Sequence, residues 1–147
     1  MHVLEARTMF LGVNVWLIFA SFLTWAACLV HCFIGDREIR TLLDHRRAAE
    51  NTTFQETWTM ARCGWHWISA DLLTSAIVLT LITFTDIVGQ KDGVLLVIAG
   101  YFLVQALVWL VSIAMSTPFR NNFVRLGQWL LLITVAVLIL LGRSSLE

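Results

Sequence analysis

Four long apolar stretches, at about residues 9–34, 64–88, 93–116 and 124–141, dictate what this chain can fold into. Crossing a hydrocarbon core about 30 Å thick takes ~20 predominantly apolar helical residues, and each stretch falls in that range. Inside lipid a spanning segment must satisfy its own backbone N–H and C=O groups, as a helix or within a closed barrel. Period-two alternation is absent, which excludes a barrel. The pattern predicts an all-α membrane protein, a single antiparallel four-transmembrane-helix bundle over residues 1–147.

Composition agrees. The chain is 59% hydrophobic and 14% charged, where soluble domains run near 45–50% apolar and about 25% charged. Ten Lys+Arg balance ten Asp+Glu, so the basic excess that neutralises phosphates in a nucleic-acid binder is missing. The expected partner is the lipid bilayer, not nucleic acid. A bundle this small encloses little volume, so self-association or membership of a larger membrane complex is also expected.

The connections are unequal. The first, 36–63, carries Arg37, Arg40, Arg46, Arg47 and Arg62; the second, 89–92, is a tight turn; the third holds Arg120, with Arg125 just after it. Seven Lys/Arg therefore flank one side, against Arg7, Lys91 and Arg143 on the other. By the positive-inside rule the loop 36–63 is cytoplasmic and both termini are outside the cytoplasm. Within that loop Ile39, Leu42 and Leu43 fit either an amphipathic interfacial helix over 37–50 or a continuation of the first helix. Asn51-Thr52-Thr53 matches a glycosylation sequon on the wrong side of the membrane and reads as a turn or helix N-cap. Trp25-Ala26-Ala27-Cys28 is a poor lipoprotein box, because Trp25 stands where leucine belongs and the apolar run continues past the cysteine.

Polar groups in apolar helices are costly to insert and mark where function is sought. Ser21, Thr24, Cys28, His31, Cys32 and Gly35 form one stripe of the first helix, which plain close packing also explains. His31 precedes the exit of that helix at Asp36-Arg37, and His66 follows the entry of the second at Arg62, so two antiparallel helices bring the imidazoles to similar depth. Cys28 and Cys32 flank His31, and Cys63 lies three residues before His66. Two histidines and three thiols suit a transition metal or a haem iron. The plain alternative is a hydrogen-bonded closure of the bundle mouth. A haem also needs more room than adjacent helices 8–10 Å apart provide.

The pattern His31-x-x-x-Gly35-Asp36-x-x-Ile39-Arg40-x-Leu42-Leu43, followed by Arg62-x-x-Trp65-His66-x-x-Ser69, resembles a group of small bacterial four-helix membrane proteins of uncharacterised activity. The resemblance covers the first half of the chain. It implies a bacterial inner-membrane location and groups His31, Asp36, Arg40, Arg62 and His66 as one unit. It implies no activity, and its pattern lacks the cysteines. Asp36, Arg40 and Arg62 are the expected ligand-binding residues, and His31, His66, Cys28, Cys32 and Cys63 the expected metal ligands.

Asp71 lies five residues beyond His66, about 7.5 Å deeper and rotated roughly 140° about the axis. It is expected to be a buried polar residue within reach of Tyr101 or Gln105 of the third helix, as helix glue or on a proton or ion path. Trp58, Trp65 and Trp67 sit where interfacial aromatics belong; Trp16, Trp25, Trp109 and Trp129 read as packing or lipid-facing. No Gly-x-Ser-x-Gly, phosphate loop or His-Glu-x-x-His is present, so no catalytic residue can be named. Two functions remain: a membrane protein that binds a metal, haem or anionic ligand at the cytoplasmic end of its first two helices, with or without a redox role, or an accessory or scaffold subunit without chemistry.

Overall fold

The computed structural model describes residues 14–41, 52–116 and 121–146. Among them every regular element is a helix and none is a strand. Helix α1 (Val15–Leu29) passes through a π-helical segment (Val30–Gly35) into α2 (Asp36–Thr41), and the three run as one helix of 27 residues. Then come α3 (Thr52–Phe84), α4 (Lys91–Met115), the short α5 (Asn122–Arg125) and α6 (Gln128–Ser144). Val15–Thr41, Thr52–Phe84 and Lys91–Met115 are long and apolar enough to cross a membrane; α6 is apolar but shorter, at 17 residues. Large apolar side chains point outward along these helices, among them Phe22, Phe33, Val104 and Val108. Such faces would be unfavourable in water and are suited to lipid, as in an integral membrane protein.

Several expected boundaries move. The first helix does not end at 34 but continues through Thr41, and α3 begins at Thr52 rather than 64 and stops at Phe84 rather than 88. The expected loop 36–63 is therefore mostly helix, and its remainder, 42–51, lies outside the described residues together with Asn51 of the sequon. The start of the first stretch, 9–13, and Pro118 also lie outside them. The fourth stretch breaks. Asn121 adopts a left-handed conformation (φ 59°), which asparagine tolerates better than most residues, and the turn at Leu126–Gly127 separates α5 from α6. The indole N–H groups of Trp109 and Trp129 donate to the carbonyls of Leu126 (3.1 Å) and Phe123 (3.0 Å). These two tryptophans thus satisfy backbone acceptors freed by the break, a role beyond packing.

Several helical hydroxyls are satisfied within their own helix. Thr83, Thr85, Ser112, Ser116 and Thr134 each donate to the carbonyl four residues back, an economical arrangement where no water competes.

The chain divides into two compact units, residues 14–21 with 78–146 and residues 22–77 of the described chain. In the first, α4 packs on α6. Leu95, Ala99, Phe102, Ala106 and Ile113 line the buried face of α4, and Val135, Ala136, Ile139 and Gly142 that of α6. Spacings of three, four and seven make each set one stripe. Asn14 opens α1: its Oδ1 accepts from the Trp16 and Leu17 amides, while its Nδ2 donates to Gly142 O (2.6 Å) and Ser145 Oγ (2.7 Å). At this end Arg143 forks onto Asp92, and Lys91 pairs with Asp86 at 2.8 Å. The hydrogen bond from Lys91, aided by its charge, holds the Asp86 carboxyl below its ordinary pKa. Tyr101 and Gln105 are not buried as expected. Tyr101 is exposed, Gln105 is half-buried and donates to the Tyr101 hydroxyl, and Asp71 belongs to the other unit, where it is half-buried.

In the unit 22–77, Thr24 and Cys28 of α1 and Ser69, Leu72, Ser75 and Ala76 of α3 are buried, together with Gly35 and Asp36. All residues of the expected ligand cluster lie in this unit.

Candidate functional site

The site is built on two stripes. On α3, Arg62, Trp65, His66 and Ser69 follow at spacings of three, one and three and share one face. On the first helix, His31, Gly35, Asp36 and Arg40 occupy the π segment and α2. A π segment bonds i to i+5 rather than i+4, adds a residue to the turn and often marks a functional position. Here it carries His31 and ends at Gly35, immediately before Asp36.

Asp36 is the centre. Only 5% of it is exposed, and its carboxylate meets three basic side chains: Arg40 Nη2 at 2.7 Å, Arg62 Nε at 3.0 Å and His66 Nε2 at 3.3 Å. A buried carboxylate is strongly unfavourable unless paired and hydrogen-bonded, and these partners meet that requirement. The basic partners remain open outward: the side chains of Arg40, His66 and Arg62 are 59%, 48% and 36% exposed. Arg62 also lies over the Trp58 ring, 5.6 Å from its centroid, within cation–π range.

One helical turn away, Trp65 locks the stripes together. Its ring stacks on the His31 imidazole with centroids 3.9 Å apart and planes 7° from parallel. Its Nε1–H donates to the His31 carbonyl at 3.0 Å. A Cβ on residue 35 would run into the Trp65 ring, so glycine is what lets the indole seat against the helix. His31 Nδ1 lies 3.0 Å from Ser69 Oγ, and Ser69 is 3.3 Å from the Trp65 carbonyl. His31 Nε2 is buried without a hydrogen bond among the described residues.

The expected residues are thus only partly united. Asp36, Arg40, Arg62 and His66 form one ion-paired group, and His31 lies within electrostatic reach of His66 but is held by Trp65 and Ser69. The thiols go elsewhere. Cys28 Sγ is 4.0 Å from Cys32 Sγ and 3.9 Å from the Ser69 carbonyl, and Cys63 is exposed. Among the described residues no group of three or more His, Cys, Asp or Glu side chains is disposed to hold a metal ion. His66 Nε2 faces Asp36 and His31 Nδ1 faces Ser69.

Sequence reasoning underrated Trp65, Ser69 and Gly35 as parts of this site. The signal was present in the pattern Arg62-x-x-Trp65-His66-x-x-Ser69, which is one helical face. Elsewhere, an open hollow of about 560 Å³ is lined by Gly89–Gly93 and Leu146. Its charged residues are already paired, Lys91 with Asp86 and Asp92 with Arg143. In comparisons with known proteins, no family model, curated protein or solved structure matches this chain.

Proposed function

We infer that the chain is a four-helix inner-membrane protein whose Asp36 cluster, at the cytoplasmic end of its first and second spans, binds an anionic group such as a phosphate or carboxylate. The observation that carries this reading is the convergence of two guanidinium groups and an imidazole on one buried carboxylate. One negative charge meets at least two positive ones, which leaves the rim net positive. Asp36 uses only part of each guanidinium, and arginine carries five N–H donors in a fixed fork. The carboxylate thus pre-orients donors whose free N–H groups face outward from half-exposed side chains. The location, at the end of an apolar span, suits a lipid phosphate as well as a soluble anion.

A second reading has an observation of its own. Every side chain of the cluster contacts another, and the Trp65 indole is seated against both His31 and Gly35. The same arrangement can serve as a structural clasp in an accessory or scaffold subunit without chemistry. Metal or haem binding, with or without redox chemistry, has less support because the described His, Cys, Asp and Glu side chains form no group of three disposed to hold a metal.

Ligand retention and thermal stability, measured together for four variants, separate these readings. Anion binding predicts that Arg40→Ala and Arg62→Ala abolish retention of inorganic phosphate or co-purified phospholipid while His31→Ala has little effect. Metal binding predicts the reverse order, with His31→Ala and His66→Ala severe and metal detected by elemental analysis. If all four variants lose stability with no ligand lost, the clasp is the function.

A further inference from the structure

We propose that Cys28 and Cys32 form a binding site for copper(I), separate from the Asp36 cluster. The proposal uses only residues of the unit 22–77 and is independent of what that cluster binds.

The pair sits on the first helix where α1 passes into the π segment. Side chains four residues apart are neighbours on a helix surface, and these two thiols meet: Cys28 Sγ lies 4.0 Å from Cys32 Sγ and 3.9 Å from the Ser69 carbonyl on α3. The same spacing lets two histidines of one helix share a single zinc ion in metalloproteases. Metal–sulfur bonds are about 2.3 Å long, so two of them meeting at about 120° span the observed 4.0 Å. The sulfurs therefore stand at the separation that one bridging ion imposes. A disulfide would need them about 2.05 Å apart, roughly half that distance.

The number of ligands selects the ion. Among the described residues no third His, Cys, Asp or Glu joins the pair in a group that could hold a metal. Structural zinc takes four ligands and iron–sulfur clusters take four cysteines, so neither suits two thiols. Copper(I) is soft, prefers thiolate sulfur and is held by a pair of thiolates alone. Cys28 is only 4% exposed and Cys32 is half-buried, which shields a bound ion from water and leaves Cys32 as its point of entry. On binding, each thiol gives up its proton to solvent and the copper stays copper(I), so no electron is transferred. The product, one monovalent cation on two thiolates, carries one net negative charge. Four residues beyond Cys32, about one turn, Asp36 gathers Arg40 and Arg62, a group with one net positive charge when His66 is neutral. Opposite charge nearby favours the ionised form of the thiols.

The test uses the full chain with Cys63→Ser, which removes the exposed thiol that stands apart from the pair. The purified protein is titrated anaerobically with copper(I) against a chromophoric copper(I) chelator. One copper per chain is expected, with two sulfur neighbours by X-ray absorption and no displacement by equimolar zinc. Cys28→Ser and Cys32→Ser are each expected to weaken retention by more than about 100-fold, beyond the 10–100-fold that loss of a merely supporting partner costs. Because Cys28 is buried and its replacement can disturb packing, Cys32→Ser decides, with helix content checked by circular dichroism. A folded parent that retains no copper, a Cys32→Ser chain that retains it like the parent, zinc held as tightly as copper(I), or copper on nitrogen neighbours and lost with His31→Ala or His66→Ala instead would each overturn the proposal.

Discussion

Trp65 makes three demands that two residues meet: a flat partner for its ring, an acceptor for its N–H, and a neighbour without a Cβ. His31 supplies the first with its imidazole and the second with its carbonyl, and Gly35 supplies the third. Because the ring is held by His31, it cannot move aside for a methyl group. Gly35→Ala is therefore expected to destabilise the protein by about 1–3 kcal/mol, as overpacking does, despite alanine's better helix propensity. A thermal melt in detergent reads this directly. A melting temperature equal to or above that of the wild type would mean that Trp65 is not confined as described. This residue-level fit also explains why Asp36 lies where it does: the seat of Trp65 brings α3 against Gly35, and the next residue meets Arg62 and His66.

At the scale of elements, the spans that were readable in the sequence were those governed by hydropathy alone. Residues 93–116 against Lys91–Met115 is the clearest case, because glycine and charged residues precede that stretch in the sequence, and Pro118 and Arg120 follow it. Hydropathy does not report where a helix stops once it leaves lipid, so the extension of α3 back to Thr52 was hidden by its polar composition. The break at Leu126–Gly127 was hidden for the opposite reason: the apolar run continues through it. At the break the Trp129 N–H reaches back six residues to the Phe123 carbonyl and the Trp109 N–H reaches the Leu126 carbonyl from the preceding long helix, the second being a tertiary effect that periodicity cannot encode. Trp109→Phe keeps most of the ring but leaves the Leu126 carbonyl without its donor, at an expected cost of about 1–3 kcal/mol. Stability measured by chemical denaturation checks this, and an unchanged midpoint would show that another donor replaces the indole. The site follows the same division. The resemblance grouped His31, Asp36, Arg40, Arg62 and His66, whereas helical spacing paired His31 with His66 and equally allowed Cys28, Cys32 and Cys63 to join them. Only side-chain directions separate the thiols from the ion-paired group.

For the whole molecule, the number of crossings decides on which side each end of the chain lies. Three helices meet the length and hydropathy of a span, while α6, with 17 residues, reaches only about 25 Å at 1.5 Å per residue. Three crossings would put the ends of the described chain on opposite sides, and four would put them together. Asn14, at the start of α1, donates to Gly142 and Ser145 at the end of α6, and Arg143 pairs with Asp92 at the start of α4. Hydrogen bonds of 2.6 and 2.7 Å cannot reach across a bilayer, so the four-span arrangement proposed above accords with them and three crossings do not. On that proposal the positive-inside count puts the shared end outside the cytoplasm. Single cysteines at Glu38, Gln90 and Ser144, probed with a membrane-impermeant thiol reagent, are expected to divide accordingly. Gln90→Cys and Ser144→Cys should be labelled from the outer face, and Glu38→Cys only after the membrane is opened. Labelling of Gln90 and Ser144 from opposite faces would restrict the chain to three crossings and would be incompatible with the bond between Asn14 and Gly142. Labelling of both from the cytoplasmic face alone would retain the four helices and reverse their orientation, moving the Asp36 cluster to the outer surface and with it the pool of anions available to bind there.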